Sequence, residues 1–275
     1  MTEGFSFIQI TDHHLGESEE ALLSGYSTAY ALRMVMRHIA QNAGHLADFI
    51  VTTGDLVETP SDEGYATAVN LLGLQGALRE VEAPGPQLVS SEGLSAFPMY
   101  FLPGNHDDRQ NFYNNLSLRH PFSTSSPSSP LMNTKFRHKG IQFVCLDWGA
   151  DNKAEASPQM LSFLGNALDQ DTPSILLMHH AVVPVGVGWM DALLAEGVGK
   201  FWETVRGHRV LGIFCGHLHT TYERKVDEIP VYGLRSTAPQ FALQEEPLLC
   251  IQPPHYRVVH VEPEGITTEI VEVAF

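Results

Sequence analysis

Five short stretches of the sequence carry side chains that can bind metal or move protons. They are Asp12 to His14 in "TDHHLG", Asp55 in "GDLVE", Asn105 and His106 in "GNHDD", the pair His179–His180, and His217 with His219 in "GHLH". Each is commonplace alone, since a glycine–aspartate turn after a strand needs no function. Their coincidence is another matter. Each follows a short apolar run ("FSFIQI", "FIVTT", "MYFLP", "SILLM", "VLGIFC"), and together they offer only carboxylate, imidazole and amide groups. Gathering such groups without a cation would cost heavily in desolvation. Oxygen and nitrogen donors without thiolate suit manganese, iron, zinc or cobalt better than a cysteine-type structural zinc. Asp12, His14, Asp55, Asn105, His179, His217 and His219 are seven donors, too many for one tetrahedral ion. Two ions sharing a carboxylate would use them all, and ions about 3.5–4 Å apart clamp an in-line displacement at phosphorus.

The apolar runs, bounded by glycine and polar residues, predict buried strands. Between the first two, Leu32, Val35, Met36 and Ile39 follow helical spacing, with Ser27 as N-cap and Gly44 as stop. A second helix is predicted from Ser61, with Asp62 and Glu63 in its first turn, and others near Pro158–Leu168 and Met190–Arg206. Strands alternating with helices predict an α/β fold whose site collects at one rim of the sheet. From about residue 220 the pattern changes to strand-like runs ("TYERKV", "VYGLRS", "YRVVHVE", "ITTEIVEV"), read as a second sheet or the far edge of a sandwich. Gly76–Ser95 reads as an insertion and Ser123–Ser129 as a surface loop. No boundary divides the chain, so one domain over residues 1–275 is expected.

A hydrophobic content of 43% is enough for a sizeable core. A net charge of −16 disfavours a nucleic-acid polymer or an anionic membrane as partner, although a bound cation can reverse the field locally. Cys145, Cys215 and Cys250 are widely separated, so no disulfide framework is expected. The N-terminal "MTEGFSFIQITD" has neither the basic start nor the apolar stretch of a signal peptide. No apolar run reaches the roughly 18–20 residues of a membrane span. A cytoplasmic location is expected.

The order D-x-H, GD, GNHD, H, GHxH resembles the calcineurin-like metallophosphoesterase superfamily. Within it, "HHAVVPVGVGWMD", "GHLHTTYE" and "STAPQFAL" are similar to class III cyclic-nucleotide phosphodiesterases. The resemblance implies a four-layer α/β/β/α sandwich with two mixed β-sheets. It implies that Asp12, His14, Asp55 and His219 hold one ion and Asp55, Asn105, His179 and His217 a second, with Asp55 shared. Metal identity among manganese, iron and zinc stays open. Asn105, His106 and His180 are the candidate substrate contacts, with Asp55 and His106 catalytic, and Asp107 could hold the His106 ring. His13 is expected beside the site or in solvent. The implied reaction is hydrolysis of a small phosphodiester, a 3′,5′-cyclic nucleotide such as cyclic AMP being favoured. A metal-bridging hydroxide would attack phosphorus, and His106 would protonate or stabilise the leaving alkoxide. A glycerophosphodiester or other small phosphate ester would suit the same core, and a catalytically weak metal-binding protein is the remaining alternative; the pocket chooses. Phe241 could meet a nucleobase or pack in the core. Two features depart from the family pattern. "HHAVVP" lacks the usual proline pair, and the long interval from Asp55 to Gly104 contains Gly76–Ser95. That insertion could restrict the substrate or build a subunit contact, which leaves a homodimer open.

Overall fold

All five apolar runs are strands, and they are almost wholly buried. The computed structural model describes residues 4–43, 47–74, 98–116, 131–262 and 265–274. Gly44, Gly76–Ser95 and Ser123–Ser129 lie outside the described residues. In chain order the elements are β1 (Phe5–Ile10), α1 (Thr28–His38), β2 (Phe49–Thr53), α2 (Asp62–Leu71), β3 (Met99–Leu102) and α3 (Arg109–Leu116). Then come β4 (Thr134–His138), β5 (Ile141–Leu146), α4 (Pro158–Ala167), β6 (Ser174–Met178), α5 (Gly188–Asp191), α6 (Val198–Val205) and β7 (Val210–Cys215). The chain ends with β8 (Tyr222–Val226), β9 (Ile229–Gly233), β10 (Gln240–Phe241), β11 (Leu249–Cys250), β12 (His255–Glu262) and β13 (Gly265–Glu272).

Two mixed sheets pack face to face, ordered β13-β12-β1-β2-β3 and β4-β5-β6-β7-β9-β8. Phenylalanines fill the layer between them: Phe7 stacks on Phe49 at 5.4 Å and meets Phe143 and Phe214 edge-on at 5.5 Å. The outer face of the five-stranded sheet packs Ile8 and Phe101 against Leu32, Tyr65 and Phe112 of α1–α3. On the other sheet, Val144 and Leu176 pack against Met160, Leu164 and Phe201 of α4 and α6. The result is the expected α/β/β/α sandwich. Strands covered on both faces read as continuous apolar runs instead of alternating ones, which is why they stand out in the sequence.

Three helices start at the hydroxyl caps: Ser27, Ser61 and Ser157 accept from the backbone N–H of Tyr30, Gly64 and Met160. The helix expected over Met190–Arg206 is instead two short ones, α5 and α6. Gly197 caps α6 at a left-handed φ of 69°, and Ala195 and Glu196 give their N–H groups to Ala181 and Ala154. Those bonds draw the chain away from a helical path. Apart from the two-residue pair β10–β11, the C-terminal strands do not form a sheet of their own. β8 and β9 complete the six-stranded sheet, whereas the β12–β13 hairpin extends the other, with β12 antiparallel to β1. The β4–β5 hairpin, turned by Lys139 and Gly140 at positive φ, has no strong signal in the sequence.

His255 opens β12 with its ring buried. Its Nε2 accepts from the Arg235 backbone N–H at 2.9 Å, so the proton sits on Nδ1, which has no partner. Burial first, then Arg235 and Arg257, pushes this imidazole down to about 3. The folded pKa lies below the unfolded value of about 6.5, so the unfolded chain takes up the proton first as pH falls. Stability is therefore lost between pH 6.5 and about 3, with a slope of up to ~1.4 kcal/mol per pH unit from this group. Urea unfolding in the presence of a chelator should show His255→Gln flattening the loss between pH 7 and pH 5 relative to wild type. An unchanged slope would remove His255 as a contributor.

Candidate metal centre

The donors sit where parallel strands end. Asp12 and His14 follow β1, Asp55 follows β2, and Asn105 and His106 follow β3; on the second sheet His179 follows β6, and His217 and His219 follow β7. Backbone hydrogen bonds lock these exits together: Asp12 to Gly54, His13 and His14 to Asp55, and Gly216 to His179. Nine non-glycine residues have positive φ among the described residues, and five are Asp12, His14, Asp55, His217 and His219. Such a backbone costs on the order of 1–3 kcal/mol per residue and persists only where the surroundings impose it. Here it turns successive side chains towards one locus. Gly104 serves close approach, because an added Cβ would lie 2.1 Å from Asp55 Oδ1.

Four donor atoms of Asp12, His14, Asp55 and His219 lie within 4.8 Å of one another, as do three of Asp55, His179 and His217. The outer nitrogens fix the ring directions. His179 Nδ1 and His219 Nδ1 donate to the carbonyls of Thr53 and Pro239 at 2.8 and 2.7 Å, and His14 Nδ1 bonds Glu58 Oε2 at 2.7 Å. A carbonyl can only accept, so Nδ1 carries a proton and the Nε2 of the neutral ring turns a lone pair inwards. His14 Nε2 and His219 Nε2 face each other at 2.9 Å, and His179 Nε2 faces Asn105 Oδ1 at 3.0 Å and Asp55 Oδ2 at 3.2 Å. His217 Nε2 is buried without a partner. Lone pairs opposed at these distances repel unless a positive charge lies between them, and the donor set fits cations of the first transition row.

The electrostatics carry the same demand. Burial alone would raise the carboxyls of Asp12 and Asp55, but His219 and His179 hold Asp12 low, and His179 and His14 hold Asp55 low. Burial opposes protonation of His179, yet Asp55 and Asp12 push it up to about 9; Asp12 raises His219 in the same way. His217, buried and beside His179, is pushed down to about 3. Two buried carboxylates thus require positive charge from whatever is nearest.

An open cleft of about 320 Å³ exposes part of this cluster. His106 lines it, 33% exposed, with Nδ1 donating to the Glu58 carbonyl at 2.9 Å, which leaves Nε2 for another partner. Its backbone N–H donates to Asp55 Oδ1 at 2.9 Å. Leu23, Trp189, Leu193, Pro239, Phe241 and Leu249 line the same cleft, with Phe241 5.5 Å from the His219 ring. Trp189 meets Phe241 edge-on at 5.1 Å and donates its indole N–H to the Gln244 carbonyl.

Two expectations change, and that for His13 narrows to a place beside the site. His180 lies away from the cleft expected to hold the substrate: it is 1% exposed, does not line the cleft, and its Nε2 donates to the Asp151 carbonyl at 2.9 Å. His13 is equally buried, bonded through Nδ1 to Thr237 Oγ1 at 2.8 Å, and burial pushes it down to about 4. Asp107 does not hold His106. It accepts from the N–H groups of Gly104 and Leu56 and from the Tyr65 hydroxyl, stapling the loops after β2 and β3. Glu58, behind His14, was within the quoted "GDLVE" but its role depends on a fold that brings it round. Asp147 and Trp189 have no local signal of their own.

The chain matches the calcineurin-like phosphoesterase family model over residues 5–221. It is 25% identical to a probable cyclic nucleotide phosphodiesterase of Colwellia psychrerythraea, covering 97% of this chain and 94% of that one. It is 27% identical to a 3′,5′-cyclic adenosine monophosphate phosphodiesterase of Escherichia coli, covering 97% and 89%. A dimetal phosphatase from Danio rerio shares the fold at a TM-score of 0.65 and 13% identity, over 98% of this chain and 99% of that one. Motif order, sandwich and rim cluster agree with the match: this chain belongs to the calcineurin-like phosphoesterase family.

Proposed function

We propose that this protein is a dinuclear-metal phosphodiesterase acting on a small diester, with a 3′,5′-cyclic nucleotide, cyclic AMP above all, as substrate. The observation that carries the reading is an open cleft with the metal-demanding cluster as floor and an aromatic–aliphatic wall adjoining it. A cyclic nucleotide has that same division, with an anionic phosphodiester at one end and a flat apolar ring at the other. The names of the relatives support the same choice.

Asp12, His14, Asp55 and His219 would hold one ion, and Asp55, Asn105, His179 and His217 the other. Bound ions would supply Lewis-acid activation of the phosphoryl group and of water. Asp55 would serve both ions. Asn105 lies at the cleft side of the second set. His106, anchored by the Glu58 carbonyl, offers Nε2 to the leaving oxygen as a proton donor. The chain would work as a single domain, in the cytoplasm, as a monomer or homodimer, and with manganese, iron or zinc. The −16 charge favours a small substrate over a nucleic-acid polymer. Among the described residues, no helix is long and apolar enough to cross a membrane.

Elemental analysis of the purified wild type should give about two metal ions per chain, and Asp55→Asn should lose both or hold one weakly. Wild-type protein that stays metal-free after incubation with manganese, iron and zinc would end this reading.

His106 separates chemistry from metal binding. A ribose alkoxide needs a proton to leave, whereas a nitrophenolate does not. His106→Ala should keep its metal and lose cyclic AMP turnover by roughly 10²–10⁴, with a nitrophenyl diester losing much less. Equal losses would make His106 a phosphoryl contact and not a proton donor, and loss of metal would make it a ligand.

Phe241 tests the wall. Loss of a ring contact worth ~1.4 kcal/mol should raise KM for cyclic AMP about tenfold in Phe241→Ala. KM for an aliphatic diester without a ring should hardly move. The same rise for both substrates, with a lower melting temperature, would assign Phe241 to the core.

A further inference from the structure

The loop after β5 reaches the cluster from a direction that the family motifs do not include. Asp147 ends the strand run and pairs with Arg109, whose Nε lies 3.1 Å from Asp147 Oδ2 and whose Nη2 lies 2.5 Å from Oδ1. The same guanidinium donates to the Gly149 carbonyl on that loop, and to the carbonyls of Gly104 and Asp107 on the "GNHDD" loop. One arginine therefore brackets two loops that leave different sheets. His180, next to a candidate ligand, holds the far end of the bracket through the Asp151 carbonyl. At the tip, Asn152 Oδ1 accepts from Asn105 Nδ2 at 2.7 Å, while Asn105 Oδ1 faces His179 Nε2 at 3.0 Å.

The direction of the Asn105 amide matters for a cation. An asparagine side chain turned by 180° would present its NH₂ group to the cluster, and an NH₂ group cannot ligate a metal. An acceptor on the outer side opposes that turn, because the NH₂ group must then stay outside. We propose that Asn152 is a positioning residue for the second metal site. It holds the Asn105 amide with its oxygen inward, and Arg109, Asp147 and His180 fix the backbone of the loop that carries Asn152. The inference rests on the two-ion reading above and adds to it a residue outside the five motifs.

Stepwise calorimetric titration of chelated protein with manganese tests it. Wild type should show two binding events, and Asn105→Ala should identify the one that uses Asn105. Partners behind a metal ligand are worth about 10–100-fold in affinity, and the solvent-exposed Asn152 belongs at the lower end. Asn152→Ala should weaken the event identified with Asn105 by about tenfold. The other event and the melting temperature of the metal-free protein should be unchanged. Asn152→Asp keeps an acceptor and should not weaken that event. Two unchanged affinities in Asn152→Ala, or weakening in Asn152→Asp equal to that in Asn152→Ala, would overturn the proposal. So would a parallel fall in both events with the melting temperature, which indicates a merely structural role. Fewer than two events in wild type would instead defeat the two-ion reading itself.

Discussion

Asp12 and Asp55 are buried at 0% and 1% exposure, close enough that Asp55 works to raise the pKa of Asp12, and are nevertheless held ionised. Two carboxylates away from water are affordable to a fold only if positive charge meets them. The surrounding architecture follows from that requirement. Imidazoles close in from both sheets, their outer nitrogens tied to backbone carbonyls or Glu58 so that the inner ones cannot turn away. Left-handed backbone appears at five donors, and it survives because parallel strands on either side fix where each loop begins. Missing side chains matter as well: a Cβ on Gly216 would lie 2.6 Å from Asp12 Oδ2, and one on Gly104 would lie 2.1 Å from Asp55 Oδ1.

The same requirement resolves an apparent conflict between the chain and its substrate class. A molecule of charge −16 repels anions at long range. Within the cleft the field is set by the nearest charges, and cations at the cluster would reverse it there. Selectivity then falls to size and to the apolar wall. Trp189 and Phe241 come from α5 and β10, both outside the strand ends that supply the donors, and Phe241 packs against the His219 ring at 5.5 Å.

What could be read in the sequence was what depends on neighbours in the chain. The strands are legible because burial on both faces removes alternation, and the serine caps because each hydroxyl answers a backbone N–H three residues on. The seven donors are legible because each belongs to a strand exit. The rest depends on contacts between distant segments. The break at Gly197 is made by bonds to residues 154 and 181, and the division of the C-terminal strands by the pairing of β12 with β1. His180 looks like its neighbour in sequence, yet a carbonyl on the loop after β5 takes its ring out of the cleft. Glu58 becomes a partner of His14 only when the loops after β1 and β2 lie side by side.

The pentapeptide Gly104 to Asp108 shows how far residue type alone can carry such a reading. Its polar residues share one loop and diverge in direction. Gly104 leaves room for the Asp55 carboxylate, Asn105 turns towards His179, and His106 turns into the cleft with its amide on Asp55. Asp107 points back into the protein, where burial and Asp55 raise its pKa while Gly104 and Leu56 donate to it. Asp108 accepts from Asn111 at the start of α3. The two adjacent carboxylates therefore differ in kind, one a buried staple and the other a surface cap. A loop that must meet a metal centre, a substrate and the protein interior within five residues needs a different chemistry at each step, and that need explains a composition no simple turn requires.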